Sequence, residues 1–224
     1  MNKNYFWSPH IDSQVATFRS VSNSLNFLTK YEKKSENFLI NVFGEWDEYD
    51  FEPIKKIDLI SNKSLKQKKF KGFFNSRFLY FLIFFYSYYP LKKILSNNKP
   101  NYLIIHLITS VPILMFILNK FETKLILRIS GYPKLNFFRF LLWKIASNKI
   151  KYVICPTKET KSLLLKKNIF KENQLIFIPD PILNIKKLNL MKREKLKKNF
   201  VKPFFLTVGR FTKQKNHIFL LNFF

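Results

Sequence analysis

The sequence predicts an α/β fold built on a doubly wound parallel sheet, and three observations lead there. Short runs of β-branched and aromatic residues alternate with longer stretches of helical periodicity. Several of the short runs, Leu103-Ile104-Ile105 and Tyr152-Val153-Ile154-Cys155 among them, are apolar enough to be buried strands. The 224 residues are 47% hydrophobic and 24% charged, so there is enough apolar surface for a core and no signature of global disorder.

Tyr5-Phe6-Trp7 is the first strand, and Ser8 to Ser13 form a polar turn in which Asp12 or Ser13 can cap the next helix. Phe18, Val21, Leu25 and Leu28 then recur at steps of three and four, giving that helix one apolar face. Phe38 to Phe43 and Ile57 to Ser61 are the next strands, separated by an acidic, aromatic stretch that ends at Pro53. After a lysine-rich loop, Phe73 to Ser96 reads as a helix broken near Pro90.

Leu103 to Ile105 is a strand with His106 at its carboxyl end, and Pro112 to Lys120 a helix. Leu125 to Ile129, Tyr152 to Cys155 and Leu175 to Ile178 are further strands, with helices at Phe137 to Ala146 and Thr157 to Lys167 between them. Residues 1–183 are thus expected to be one complete domain and 184–202, polar and lysine-rich, a linker. At 203–224 a new unit is expected to start with a strand at Phe204 to Val208 and a helix from about Lys215. That helix presents Ile218, Leu221 and Phe224, which need a partner or further sequence to cover them.

The formal charge of +26 invites a nucleic-acid reading. Against it, arginine occurs only at Arg19, Arg77, Arg128, Arg139, Arg193 and Arg210, and the lysines are spread along the chain. A strongly AT-biased genome would write the same Lys, Asn, Ile and Phe, so charge alone identifies no partner and nucleic acid is not expected. The basic stretch between Lys63 and Lys93 has two readings, a peripheral contact with an anionic membrane or a solvated lysine face.

A single cysteine, Cys155, excludes an internal disulfide and argues against a zinc cluster, so no metal site is expected and a reducing cytoplasm is the simplest setting. Asn2, Asn4, Pro9, His10 and Asp12 interrupt the first apolar residues, which leaves no signal-peptide core. The uncharged run Phe78 to Leu91 is 14 residues long and contains Pro90, short of the roughly 20 residues of a spanning helix.

Phe205 to His217, FLTVGRFTKQKNH, resembles the opening of the donor domain in the glycosyltransferases called group 1 or family 4, which have the GT-B fold. Ile178-Pro179-Asp180-Pro181 resembles that family's Pro-Asn-Pro signature before the interdomain linker, with Asp180 replacing Asn. Asn101 to His106 resembles its Asp-x-x-x-x-His strand, with Asn101 replacing Asp. The resemblance implies the Rossmann-like N-terminal half of a GT-B fold followed by the first strand and helix of a second Rossmann-like domain. It implies transfer of a sugar from a nucleotide-sugar donor to a glycan or lipid-linked acceptor, in polysaccharide or lipopolysaccharide synthesis, with the nucleotide-diphosphate sugar as donor substrate and no cofactor. It also implies retention of anomeric configuration.

By that resemblance Gly209, Arg210 and Lys215 would bind the donor diphosphate. Cleavage moves negative charge onto phosphate oxygens; a glycine lets backbone approach, arginine forks onto two oxygens and lysine adds a point charge at a helix start. The other reading is an ordinary strand-ending turn with solvated lysines. His10, Asp12 and Ser13 lie at the carboxyl end of a strand, where open α/β sheets place ligands, and form the acceptor-side loop together with Gly131. His106 and Ser130 stand at catalytic positions: His106 can hydrogen-bond a sugar or assist proton transfer, or be a satisfied structural histidine. Ser130 replaces the histidine that several relatives carry. A non-catalytic basic protein binding membrane or nucleic acid, and an inactive fragment, are the competing expectations.

Overall fold

The structure, a computed structural model, describes residues 1–10, 16–49, 54–60, 73–194, 204–209, 211 and 215–223. Asp12, Ser13, Arg210 and the lysine-rich loop at 61–72 lie outside the described residues. The chain divides into two compact units, Met1–Asn184 and Ile185–Phe224.

The first unit is a seven-stranded sheet whose paired strands all run parallel. Its strands are β1 (Asn2–Trp7), β2 (Ser35–Asn41), β3 (Lys55–Asp58), β4 (Tyr102–Ile105), β5 (Lys124–Arg128), β6 (Ile150–Cys155) and β7 (Leu175–Phe177), in the spatial order β3-β2-β1-β4-β5-β6-β7. The helices are α1 (Ala16–Tyr31), α2 (Phe73–Asn98), α3 (Ser110–Leu118), α4 (Phe137–Ala146) and α5 (Lys158–Lys166). This is an α/β, Rossmann-like doubly wound sheet.

Alternation along each strand sorts side chains into two cores. Phe6 and Leu39 join Val21 and Leu25 of α1, with Trp46 and Ile54. Tyr5, Trp7, Ile40, Leu103, Ile105, Leu125, Leu127, Val153 and Cys155 meet the helices of the opposite face, through Ile83 and Leu91 of α2, Val111 and Met115 of α3, Trp143 of α4 and Leu164 of α5. Central strands buried on both faces are apolar, which is why Tyr5-Phe6-Trp7 carries no charged residue and its two polar tips are hydrogen-bonded, Tyr5 Oη accepting from Asn98 Nδ2. The edge strand β3 instead exposes Lys55 and Lys56, and charged side chains of this kind discourage pairing with another chain.

Local sequence sets the helix starts. Asn136 accepts a hydrogen bond from the Arg139 amide at 2.9 Å ahead of α4, and Thr157 accepts one from the Thr160 amide at 3.1 Å ahead of α5. Pro112 lies in the first turn of α3, where amide donors have no intrahelical acceptor, so the ring costs nothing there. The expected break at Pro90 is not observed: α2 runs through it from Phe73 to Asn98. Ile83, Ser87, Leu91 and Leu95, four residues apart, are all buried against the sheet and anchor the helix on both sides of the proline.

The second unit contains α6 (Ile185–Met191) and α7 (His217–Phe223). The segment expected to be a linker therefore includes a short helix. The strand expected at Phe204 to Val208 is not formed; these residues are exposed and have no regular structure. A strand is stabilised by its ladder, and among the described residues no neighbouring strand supplies one.

Candidate functional site

Strand order reverses between β1 and β4, which are hydrogen-bonded neighbours. At such a reversal the connections leave in opposite directions, and the carboxyl ends of the two strands border a crevice where open α/β sheets bind ligands. The residues there are Trp7, which ends β1, and Ser8 after it, and Ile105, which ends β4, and His106 after it.

The chain is held tightly at this place. The His106 amide donates to the Trp7 carbonyl at 2.9 Å. The Trp7 indole donates to the carbonyl of Leu107 at 3.0 Å and of Ile108 at 3.3 Å. Ile108 has φ +48°, a left-handed conformation that costs a β-branched residue about 1–2 kcal/mol. Such strain persists only where the surroundings hold it, and the Trp7 indole is one contact on this segment. Sequence reasoning offered no signal for it.

His106 is 4% exposed and stacks on Phe6 with ring centroids 6.3 Å apart. Neither ring nitrogen has a hydrogen-bond partner among the described residues, and the buried Ser8 hydroxyl is likewise unpartnered. Burial, and secondarily the Arg128 charge, push the imidazole down to about 3. At neutral pH the ring is uncharged, with one N–H donor and one lone pair. Such a ring is a poor proton acceptor for catalysis and a good hydrogen-bond partner for a hydroxyl. Its nitrogens are shielded, so a ligand reaches them only when covering side chains move aside.

Arg128 ends β5 with its side chain only 8% exposed, paired with Asp180 at 18%. Asp180 Oδ1 accepts from Arg128 Nη2 at 2.7 Å, from Arg128 Nε at 3.0 Å and from the Ser20 hydroxyl at 3.3 Å. Arg128 Nη2 also donates to the Pro179 carbonyl at 3.3 Å, and Asn23 Nδ2 to the Pro181 carbonyl at 2.6 Å. The Pro179-Asp180-Pro181 segment is thus fastened to β5 and α1. The pairing was not anticipated, although an arginine inside the apolar strand LILR requires an anion and an acid between two prolines is a candidate.

The remaining predicted residues are distributed differently. His10 is buried rather than displayed on an open loop; its ring packs on Trp46 at 4.6 Å and Phe18 at 5.3 Å, beside α1. Ser130 and Gly131 are exposed after β5. Gly131 has φ +75° and open space where a Cβ would stand, so the position needs glycine for its backbone and not for room. In the second unit, Lys215 and His217 fold over Gly209: a Cβ there would lie 3.4 Å from Lys215 Cγ and 3.6 Å from His217 Nε2. His217, absent from the predicted site, stands against Phe211 with centroids 5.0 Å apart. Among the described residues, no group of three His, Cys, Asp or Glu side chains is arranged to hold a metal ion.

Neither a protein-family profile nor a curated protein sequence matches the chain. Solved structures do. The UDP-GlcNAc 2-epimerase from Methanocaldococcus jannaschii is similar with a TM-score of 0.54 and 14% identity, over 87% of this chain and 50% of that one. A glycosyltransferase from Rickettsia africae ESF-5 is similar with a TM-score of 0.51 and 16% identity, over 85% of this chain and 48% of that one. This chain therefore spans about half the length of these neighbours. At these identities the likeness establishes the Rossmann-like fold.

Proposed function

We propose that the chain is the acceptor-side part of a glycosyltransferase together with the opening of its donor-side part, moving a sugar from a nucleotide sugar to a glycan or lipid-linked acceptor. Residues 1–183 would be the acceptor-side domain, 184–202 the connection and 203–224 the start of the donor-binding domain. The observation that carries the reading is the Lys215 side chain laid over Gly209. It supports an anion site in which the Lys215 stem packs at Gly209, bringing a lysine to this turn, with Arg210 next in sequence. The fold shared with a nucleotide-sugar epimerase and a glycosyltransferase supports the same class of donor.

In this reading Gly209, Arg210 and Lys215 meet the charge that develops on the leaving diphosphate. His106, uncharged, hydrogen-bonds a sugar hydroxyl. By the family resemblance alone the reaction is assigned as retaining, and the nucleotide sugar is the substrate with no further cofactor. Calorimetric titration with UDP-, GDP- and ADP-sugars tests the donor site. Binding of one of them that weakens at least tenfold in Lys215→Ala supports it, and binding unchanged in both Lys215→Ala and Arg210→Ala removes it.

The epimerase neighbour favours a second reading, rearrangement of a nucleotide sugar without transfer. Epimerisation beside a carbonyl or phosphate leaving group exchanges a carbon-bound proton, so deuterium incorporation from heavy water into recovered nucleotide sugar would select it over transfer.

A further inference from the structure

The outward face of α2 is aromatic where a surface helix is ordinarily polar. Ile83, Ser87, Leu91 and Leu95 point into the core. On the other side Phe78, Phe81, Phe85 and Tyr89 recur at steps of three and four and are 57%, 66%, 68% and 72% exposed. Phe81 and Phe85 stack on each other, 6.4 Å between centroids, without gaining cover. A row of large exposed rings marks a contact surface.

Charge selects the occupant. Between Asp58 and Glu122 the sequence holds no acidic residue, while Lys63, Lys66, Lys68, Lys69 and Lys71 precede the aromatic row in sequence and Lys92 and Lys93 follow it. A second copy of the chain would bring another +26 against this one, which opposes self-association. Aromatic rings on a helix bracketed in sequence by lysines match the boundary of an anionic bilayer, where rings enter the acyl edge and ammonium groups remain among headgroup phosphates. No helix among the described residues is long and apolar enough to cross a membrane, so the contact is made along the surface.

We infer that α2 docks the protein on anionic lipid through Phe78, Phe81, Phe85 and Tyr89. The inference is independent of the sugar-transfer reading. The full chain is sedimented at physiological salt with vesicles of phosphatidylcholine alone and of phosphatidylcholine mixed with phosphatidylglycerol. Binding is expected only to the mixed vesicles, and at least tenfold weaker in the double variant Phe81→Ser, Phe85→Ser. Because that variant can lose stability, Phe85→Trp gives a second reading: its emission shifts to the blue on the mixed vesicles. Equal binding to both vesicle types overturns the inference. So does an unshifted Phe85→Trp, or lipid-free dimerisation that the double variant abolishes, which would assign the face to a second copy.

Discussion

Replacing Asp180 by alanine takes the carboxylate away from a guanidinium that is only 8% exposed and keeps one remaining contact, the Pro179 carbonyl at 3.3 Å. Removing one partner of a buried pair costs roughly 3–5 kcal/mol, and the 18% exposure of Asp180 places this pair at the lower end, about 3 kcal/mol. Asp180→Asn retains an oxygen for Arg128 and Ser20, so its cost should be near half of that, about 1–2 kcal/mol. The double variant Arg128→Met, Asp180→Leu leaves no uncompensated charge and should fall within about 1 kcal/mol of the original protein. Urea unfolding followed by tryptophan emission measures all four, with similar denaturant slopes as the control for a common unfolding reaction. A cost below about 1 kcal/mol for Asp180→Ala, or a double variant that costs as much as Asp180→Ala, would refute a buried, mutually compensating pair.

His106 contributes through pH. Its folded-state value, held down to about 3 against the usual 6.5, means that its stability contribution is complete above 6.5 and is lost as pH falls toward 3. At about 1.4 kcal/mol per pH unit, the loss at pH 5 is about 2 kcal/mol. Urea midpoints measured at pH 7.5 and 5 should show that drop, and His106→Phe should largely abolish it. Glu45 acts in the opposite sense: burial raises its carboxyl from 4.5 to about 7, so its contribution is complete below 4.5 and lost as pH rises through 7. Glu45→Gln should therefore flatten the alkaline side of the stability profile in the same measurement. Gly131→Ala meets no atom yet takes a side chain into φ +75°, and should lower stability by about 1 kcal/mol in urea unfolding.

The parallel sheet was legible because its central strands contain short apolar runs bounded by polar or turn residues, and the order of strands and helices then restricts the topology; the edge strand, expected at Ile57 to Ser61, is Lys55–Asp58, where pairing with β2 and not apolarity sets the bounds. Pro90 misled because local rules register its missing hydrogen bond, while the burial of Ile83, Leu91 and Leu95 that outweighs it depends on the sheet. The run Phe204 to Val208 misled in the opposite way: residues that favour strands do not form one without a ladder. His106 was legible because it follows an unmistakable strand. Its low basicity was not, since that depends on burial and on Arg128 from the neighbouring strand. The Arg128–Asp180 pair joins residues 52 apart, at the ends of strands separated by β6, and no local pattern encodes such a meeting.

Trp7, Trp46 and Trp143 are all buried, and they stand in three different settings: the strand reversal, the α1-side core and helix α4 of the opposite core. The protein is thereby equipped with optical reporters for both sides of its sheet. Quenchers dissolved in water should reach none of them in the native fold, and Trp7, whose indole N–H is engaged by two loop carbonyls, should change its emission when that loop opens. Because the outward face of α2 contains no tryptophan, a signal from one introduced there stands on a background that solvent and surfaces leave unchanged.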